Sequence, residues 1–78
     1  MDEKHQVEKT ASDIFKKFHL DWVVASVEDN HVAHSCEVEV QVPGHSDLIL
    51  MVPHGAPDAI KKALRAQTEE EMDRLHIA

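Results

Sequence analysis

The residues of this chain best able to do chemistry lie near its middle, where His34 and Cys36 are two positions apart and His31 is close by. Imidazole and thiolate are both good zinc ligands, but a structural zinc site needs four ligands, so the fold would also have to bring in His45 or His54. A thiol beside a histidine could instead be a nucleophile, which requires exposure and a lowered pKa. The strand pattern described below points Cys36 inward. We therefore expect a core residue there, and we predict no metal, no cofactor and no catalytic site.

Two other groups of residues contain the residue types of a catalytic or anion-binding site, but not the arrangement that such a site needs. Glu37 and Glu39 could form a carboxylate pair, but with Gln41 they make an acidic strip without a pocket, which indicates a solvated or partner-facing surface. The loop 53–57 precedes a helix and could hold an anion, yet it has one glycine and is followed by Asp58, which would repel the anion. None of the GxGxxG, P-loop, HExxH and GxSxG motifs occurs in the chain.

The charge balance opposes general binding to a phosphate backbone. The 78 residues include 8 Lys and Arg against 15 Asp and Glu, which gives a formal net charge of −7. Nucleic-acid binding needs clustered basic side chains, whereas this acidic balance favours solubility or an electropositive partner. The length fits a single domain over residues 1–78. A single cysteine, the polar start behind Met1 and an apolar run no longer than Leu48 to Val52 favour a cytoplasmic protein without a membrane span.

The spacing of apolar residues in the first half predicts a helix followed by two strands. Helix 1 covers about Glu3 to Phe18, where apolar residues recur on one helical stripe. Strand 1 runs from about Trp22 to Glu28, and Asp29-Asn30 forms a two-residue turn. Strand 2 runs from Val32 to Val42 and alternates strictly between apolar and polar residues. One of its faces is therefore dry, and the other is acidic.

Prolines and glycines divide the second half of the chain. The sequence Pro43-Gly44-His45-Ser46 makes a turn, strand 3 is Leu48 to Val52, and helix 2 begins near Pro57. Thr68 and Glu71 match a capping box that could start a separate last helix. Because no glycine or proline interrupts the apolar stripe there, we predict one continuous helix.

These elements predict an α+β domain in the order αβββα. Three sequential strands form an antiparallel meander with strand 2 in the centre, and two helices pack on one face of it. Strands 1 and 3 carry apolar residues on both sides, more than two short helices can cover. We therefore expect a second copy, in a homodimer, or a protein partner to cover the other face. The residues predicted to contact it are Val23, Val27, Glu37, Glu39, Gln41, Ile49 and Met51.

The order of elements resembles that of the double-stranded-RNA-binding domain family, and residues 31–40 are similar to the second strand of that family and the loop before it. The family places a lysine cluster, directed at phosphates, at the start of its last helix. Here those positions hold Gly55-Ala56-Pro57-Asp58, and Lys61 and Lys62 follow a turn later. The resemblance therefore implies an αβββα domain of degenerate type that is used for protein contacts.

The sequence leaves functions of three classes open. The first is a small non-catalytic interaction module that self-associates or binds a protein through its sheet face. The second is an acidic inhibitor of the phage or mobile-element type, which mimics nucleic acid and occupies a basic site on another protein. The third is a small enzyme, which no group of residues supports. We expect the first. The helix residues that add to the acidic surface of the second are Glu69, Glu70, Glu71 and Asp73.

Overall fold

The computed structural model describes residues 3–76, and the elements follow one another in the predicted order. The strands form one antiparallel sheet in the order β1-β2-β3, and both helices pack on the same face of it. The predicted α+β fold is confirmed. No helix within residues 3–76 is long and apolar enough to cross a membrane. The elements are α1 (Glu3–Lys17), β1 (Val23–Asn30), β2 (Ser35–Gln41), β3 (Leu48–Pro53) and α2 (Pro57–Arg74).

The first helix, α1, ends in a left-handed turn built around a histidine. His19 has a φ of 57°, and its N–H donates a hydrogen bond to the Lys16 carbonyl. The N–H of Leu20 donates to the Phe15 carbonyl at 2.9 Å. This pair of bonds satisfies carbonyls that a helix end leaves without partners, and it turns the chain back toward β1. The buried stripe of α1 is Val7, Ala11, Ile14 and Phe15.

One extra residue in β1 decides which of its side chains face the helices. The pairing of β1 with β2 shifts between Val24 and Ser26, which leaves Ala25 as a bulge. Because side chains alternate along a strand, the bulge turns Val27 to the helix side, where it packs partly buried against the core. Val27 therefore does not share the opposite face with Val23, as the sequence led us to expect.

The connection between β1 and β2 is longer than predicted. Residues 31–34 form the turn and β1 continues through Asn30, so the predicted two-residue turn and the predicted start of strand 2 at Val32 are both wrong. The Oδ1 atom of Asn30 accepts a hydrogen bond from the Ala33 N–H at 3.1 Å, which stabilises the turn. Val32 is 93% exposed. The asparagine side chain sets the start of β2 here, although apolar alternation extends further back.

The second helix, α2, is uninterrupted, as predicted. It begins at Pro57, where the missing N–H of proline costs no helical bond, and it continues past Thr68 to Arg74. Thr68 is fully buried, and its hydroxyl donates a hydrogen bond to the Leu64 carbonyl at 2.7 Å. Thr68 is therefore an interior residue of the helix and does not act in a capping box.

The core fills the space between the helices and the inner face of the sheet. Phe15 and Trp22 pack edge to face there, with ring centroids 5.3 Å apart. Alternate side chains of β2 and β3 complete the layer, so these two strands contribute every second residue to the core. The large side chains that are almost wholly buried are Val7, Phe15, Val38, Val40, Leu50, Val52, Ile60 and Leu64.

A side chain of α2 closes the outer edge of β3. The Oε1 atom of Gln67 accepts a hydrogen bond from the Met51 N–H at 2.8 Å, and the Gln67 amide donates to the Met51 carbonyl. Pro53 lies two residues further along the same edge and has no N–H to offer. Unpaired strand edges invite pairing with other chains, so these two residues hinder strand addition at β3.

Candidate functional site

The helices leave the opposite face of the sheet uncovered, and six of the seven residues predicted to contact a partner lie on it. Strand alternation and the register place eleven strand residues on this side of the sheet. Asn30, Ser35 and Pro53 lie at the end next to the turn 31–34, and we call the other eight residues the outer face. Among the predicted residues, Val27 alone lies elsewhere, because the bulge in β1 turns it toward the core. The outer face consists of Val23, Ser26, Glu28, Glu37, Glu39, Gln41, Ile49 and Met51.

The outer face exposes apolar side chains to solvent on the two edge strands, β1 and β3. Val23 and Ile49 are each 57% exposed, and Met51 is 40% exposed. Ile49 lies opposite Glu39 in the register, and Met51 lies opposite Glu37. Apolar groups that border charged ones on an uncovered surface are typical of a protein contact site.

Carboxylates occupy the centre of the outer face. Glu28 lies directly opposite Glu37 on the neighbouring strand, an arrangement of like charges that destabilises a sheet. Glu39 accepts a hydrogen bond from the Ser26 hydroxyl at 3.2 Å. None of the eight residues of the outer face is Lys or Arg, so the face itself has no cation to offset the repulsion.

The chain separates its charges between the helices and the sheet. All 8 Lys and Arg residues lie within α1 and α2. The segment 18–56, which holds the three strands and their connections, contains six acidic residues and no Lys or Arg, so it contributes −6 of the formal net charge of −7. The net charge of the protein is therefore concentrated on the layer that carries the outer face.

A groove between the two helices carries positive charge, in contrast to the acidic outer face. Its apolar residues, Ile14 and Phe18, are flanked by Lys17, Lys61 and Arg65. We call these five residues the helix groove. It lies in the helical layer, on the other side of the sheet from the outer face. The two surfaces are therefore complementary in charge, and each has an apolar component.

Four polar side chains from different elements meet at one end of the sheet. Asp29 lies opposite Cys36 in the register, His54 follows β3, and Glu3 lies in the first turn of α1. The Oε1 atom of Glu3 is 2.8 Å from His54 Nδ1 and 3.8 Å from Cys36 Sγ. The Oδ1 atom of Asp29 is 2.9 Å from His54 Nε2. We call these four residues the end cluster.

The thiol of the end cluster is buried, as the strand pattern predicted. Cys36 is 1% exposed, whereas the side chains of Glu3 and His54 are 43% and 35% exposed. Burial raises the pKa of the Cys36 thiol, and the negative charges of Glu3 and Asp29 raise it further. A thiol with a raised pKa is a weak nucleophile, so this arrangement does not resemble that of a catalytic cysteine.

The other histidines considered from the sequence do not join Cys36. His34 lies in the exposed turn before β2, and it contributes only its carbonyl, which accepts a hydrogen bond from the His54 N–H at 3.5 Å. His31 contacts Asp29 Oδ2 at 3.2 Å. His45 lies near the opposite end of the sheet. Because β2 begins at Ser35, the predicted strand face shared by the His34 and Cys36 side chains is not formed.

Comparison with known proteins adds no function to this description. No family model, curated protein or solved structure matches the chain. The function is therefore argued from the geometry and charge of the outer face, the helix groove and the end cluster.

The sequence reasoning missed two members of the end cluster, Glu3 and Asp29. Strand register would have found Asp29, since the paired strands place it directly across from Cys36. His54 lies two residues beyond the inward-facing Val52, and the period of a strand therefore brings it to the same side. Glu3 depends on where α1 crosses the end of the sheet, which is a property of tertiary packing that no local pattern contains.

Proposed function

We propose that this protein is a non-catalytic interaction domain whose outer face binds a protein surface that is both basic and apolar. The observation that carries the proposal is the excess of carboxylates on the sheet layer, with Glu28 opposite Glu37 and no Lys or Arg on the outer face. A cationic partner offsets the repulsion between these carboxylates. Relief of that repulsion therefore contributes to the free energy of binding.

The apolar residues of the outer face supply the second part of the binding energy. Val23, Ile49 and Met51 are exposed on a sheet whose backbone is already ordered, so little conformational entropy is lost when a partner covers them. Buried apolar area contributes about 25 cal/mol per Å², whereas peripheral charges mainly set the association rate and the choice of partner. We therefore expect added salt to weaken the complex without abolishing it.

The proposal is tested with three purified baits that differ only in surface charge. The first is the parent chain, and the second carries Glu28→Gln, Glu37→Gln and Glu39→Gln on the outer face. The third is the matched control, which loses the same number of charges at exposed helix positions. Proteins retained from a lysate are identified, purified and titrated against each bait by calorimetry. The control substitutions are Glu8→Gln, Glu70→Gln and Asp73→Asn.

The expected result is a basic protein whose affinity for the outer-face variant is at least about tenfold weaker at low salt, a loss of about 1.4 kcal/mol. Its affinity for the control variant should be close to that of the parent. Equal binding to all three baits, or loss of binding in the control alone, would contradict the proposal. Substituting Ile49 by Thr should also weaken the complex, and it should leave the unfolding midpoint nearly unchanged because the side chain is exposed.

A second candidate function is self-association in a head-to-tail manner. The helix groove favours it, because Lys17, Lys61 and Arg65 on one copy complement the carboxylates on the outer face of another. Two outer faces would instead repel each other, which argues against a symmetric pairing of the sheets. Sedimentation velocity at low salt distinguishes the two functions. If the purified parent associates with no other protein present, and the variant with Lys17→Gln and Lys61→Gln does not, self-association is favoured over a separate partner.

The proposal includes a cytoplasmic location. Cys36 is a buried free thiol, which is compatible with a reducing compartment. Expression with a fluorescent tag in the native host is the direct measurement.

A further inference from the structure

The end cluster brings together the donor types that zinc prefers. One atom each from Glu3, Cys36 and His54 lies within 4.8 Å of the other two. Thiolate, imidazole and carboxylate all bind zinc, whereas magnesium and calcium take oxygen ligands. We propose that the end cluster is a Zn²⁺ site, in which Glu3, Cys36 and His54 are ligands and Asp29 positions the imidazole.

Two of the three separations between the donor atoms are close to those of a tetrahedral site, and the third is at most 4.8 Å. Zinc bonds of about 2.0–2.3 Å at tetrahedral angles place two ligand atoms about 3.3–3.8 Å apart. The Cys36 Sγ to Glu3 Oε1 distance is 3.8 Å, and the Glu3 Oε1 to His54 Nδ1 distance is 2.8 Å. Side-chain adjustments of less than about 1 Å therefore convert the present contacts into a coordination shell.

Asp29 supplies the outer hydrogen bond that metal-bound histidines usually make. When Nδ1 of His54 binds a metal, its Nε2–H is free to donate to Asp29 Oδ1, which is 2.9 Å away. That oxygen is buried and has no well-aligned hydrogen bond in the described part of the chain, although it is close to Nε2. A metal-fixed imidazole would give it the missing donor.

Charge and access are also suited to a divalent cation. Zinc binding displaces the proton of the Cys36 thiol to solvent. The resulting thiolate and the Glu3 carboxylate together balance the two positive charges of zinc, and neutral His54 adds none. The side chains of Glu3 and His54 are partly exposed, so an ion can enter from solvent and a water can occupy a fourth position.

The ligands come from elements that are far apart in the sequence. Glu3 lies on α1, Cys36 is the second residue of the central strand, and His54 follows β3. A bound ion would therefore cross-link the start of the chain to the sheet, which is valuable in a domain of 78 residues with one small core.

The test uses the full chain, reduced and freed of metal by a chelator, and titrated with Co²⁺ as a coloured substitute for zinc. We expect saturation at one equivalent, a thiolate-to-cobalt charge-transfer band, and loss of that band when Zn²⁺ is added. Zn²⁺ should also raise the unfolding midpoint of the parent. Glu3→Gln and His54→Asn should each lower the Co²⁺ affinity about tenfold or more, and Asp29→Asn about 10- to 100-fold.

Two matched controls separate this site from metal binding by surface histidines. His45→Asn at the far end of the sheet and His34→Asn in the exposed turn should leave both the band and the zinc-dependent midpoint unchanged. Glu3→Gln replaces a partly exposed carboxylate by an amide of nearly the same shape, so the circular dichroism of the variant should match that of the parent, and a higher Co²⁺ concentration needed for the band would report the site itself. A missing band in the folded parent, or a band that Glu3→Gln and His54→Asn leave unaltered, would overturn the proposal.

Discussion

Histidine takes the place of glycine at a left-handed position in this protein. His19, with a φ of 57°, ends α1 in a conformation that costs most side-chain-bearing residues about 1–2 kcal/mol. His34 and His76 also have a positive φ. Glycine is the residue that such helix ends usually select, because it has no Cβ to clash with the carbonyl. The left-handed conformation of His19 therefore makes the protein less stable than it would be with glycine at the end of α1.

Replacing His19 by Gly should stabilise the protein by about 0.5–1 kcal/mol, since the relief of strain exceeds the entropy that glycine adds to the unfolded chain. Urea unfolding followed by Trp22 fluorescence measures the change. The matched control is Lys9→Gly, in the exposed interior of the same helix, which should destabilise by about 1 kcal/mol. Equal losses in both variants would show that the left-handed turn carries no strain.

At the scale of residues, the sequence predicted which side chains are buried better than it predicted which side chains contact each other. Cys36 was expected inside because it alternates with valines, and it is buried. Val27 was expected on the outer face, but the bulge at Ala25 reverses its side. Bulges depend on how two strands pair, so one strand's pattern does not reveal them. The contact of Glu3 with His54 spans 51 positions and follows from packing alone.

At the scale of elements, a side chain of α2 forms hydrogen bonds with the backbone of β3 at the edge where a neighbouring strand would otherwise pair. Gln67 hydrogen-bonds both backbone groups of Met51. We expect Gln67→Ala to destabilise the protein by about 1 kcal/mol, because the two exposed hydrogen bonds to Met51 and a long one to the Ala63 carbonyl are lost. The amide of Met51 should also exchange with deuterium faster, because its donor then faces solvent.

Two substitutions test this role of Gln67. Gln67→Glu keeps an acceptor for the Met51 N–H, so it should retain much of the protection of that amide while losing the bond to the carbonyl. Gln41→Ala removes an exposed glutamine from β2 and should change stability by less than about 0.5 kcal/mol. Unaltered exchange at Met51 in Gln67→Ala would contradict a closed edge.

The elements themselves follow closely from local patterns, and their connections do not. The bounds of α1 agree with the prediction to within one residue, and α2 is continuous as predicted, because apolar residues at helical spacing and proline at the first turn are local properties. The start of β2 was placed at Val32, three residues too early. There the asparagine turn overrides an alternation that extends beyond the strand.

At the scale of the whole molecule, a single small core carries the stability. Domains of this size gain only about 3–5 kcal/mol from such a core, and truncating a buried Phe to Ala removes about 3–5 kcal/mol. Phe15 is 1% exposed and contacts Trp22. We therefore expect Phe15→Ala to be largely unfolded at 25 °C, with the fluorescence of Trp22 shifted toward that of a solvated indole.

Phe18 provides the comparison, because it is only partly buried at the margin of the core. Phe18→Ala should remain folded with a lower urea midpoint. A cooperative transition of Phe15→Ala at the parent midpoint would show that the core is not limiting.

The overall fold and the sheet face expected to bind a partner could be predicted from the sequence, but the pairing of charges across that face could not. All Lys and Arg already fall within the two predicted helices. The position of Glu28 opposite Glu37 depends on the bulge and the register of β1, which a single strand's pattern does not contain. The outer face could be anticipated because the strands carry more apolar residues than two helices cover. The end cluster required the register and the crossing of α1.

The extra residue at Ala25 has a genetic consequence. Losing the Ala25 codon would remove the extra residue and leave Ser26 to Asn30 on their present faces, whereas gaining a codon in β1 would exchange solvent and interior for the positions on one side of the insertion. Natural alleles should therefore tolerate the loss of Ala25 and length changes in the hairpin 43–47, and they should avoid single-codon insertions in β1.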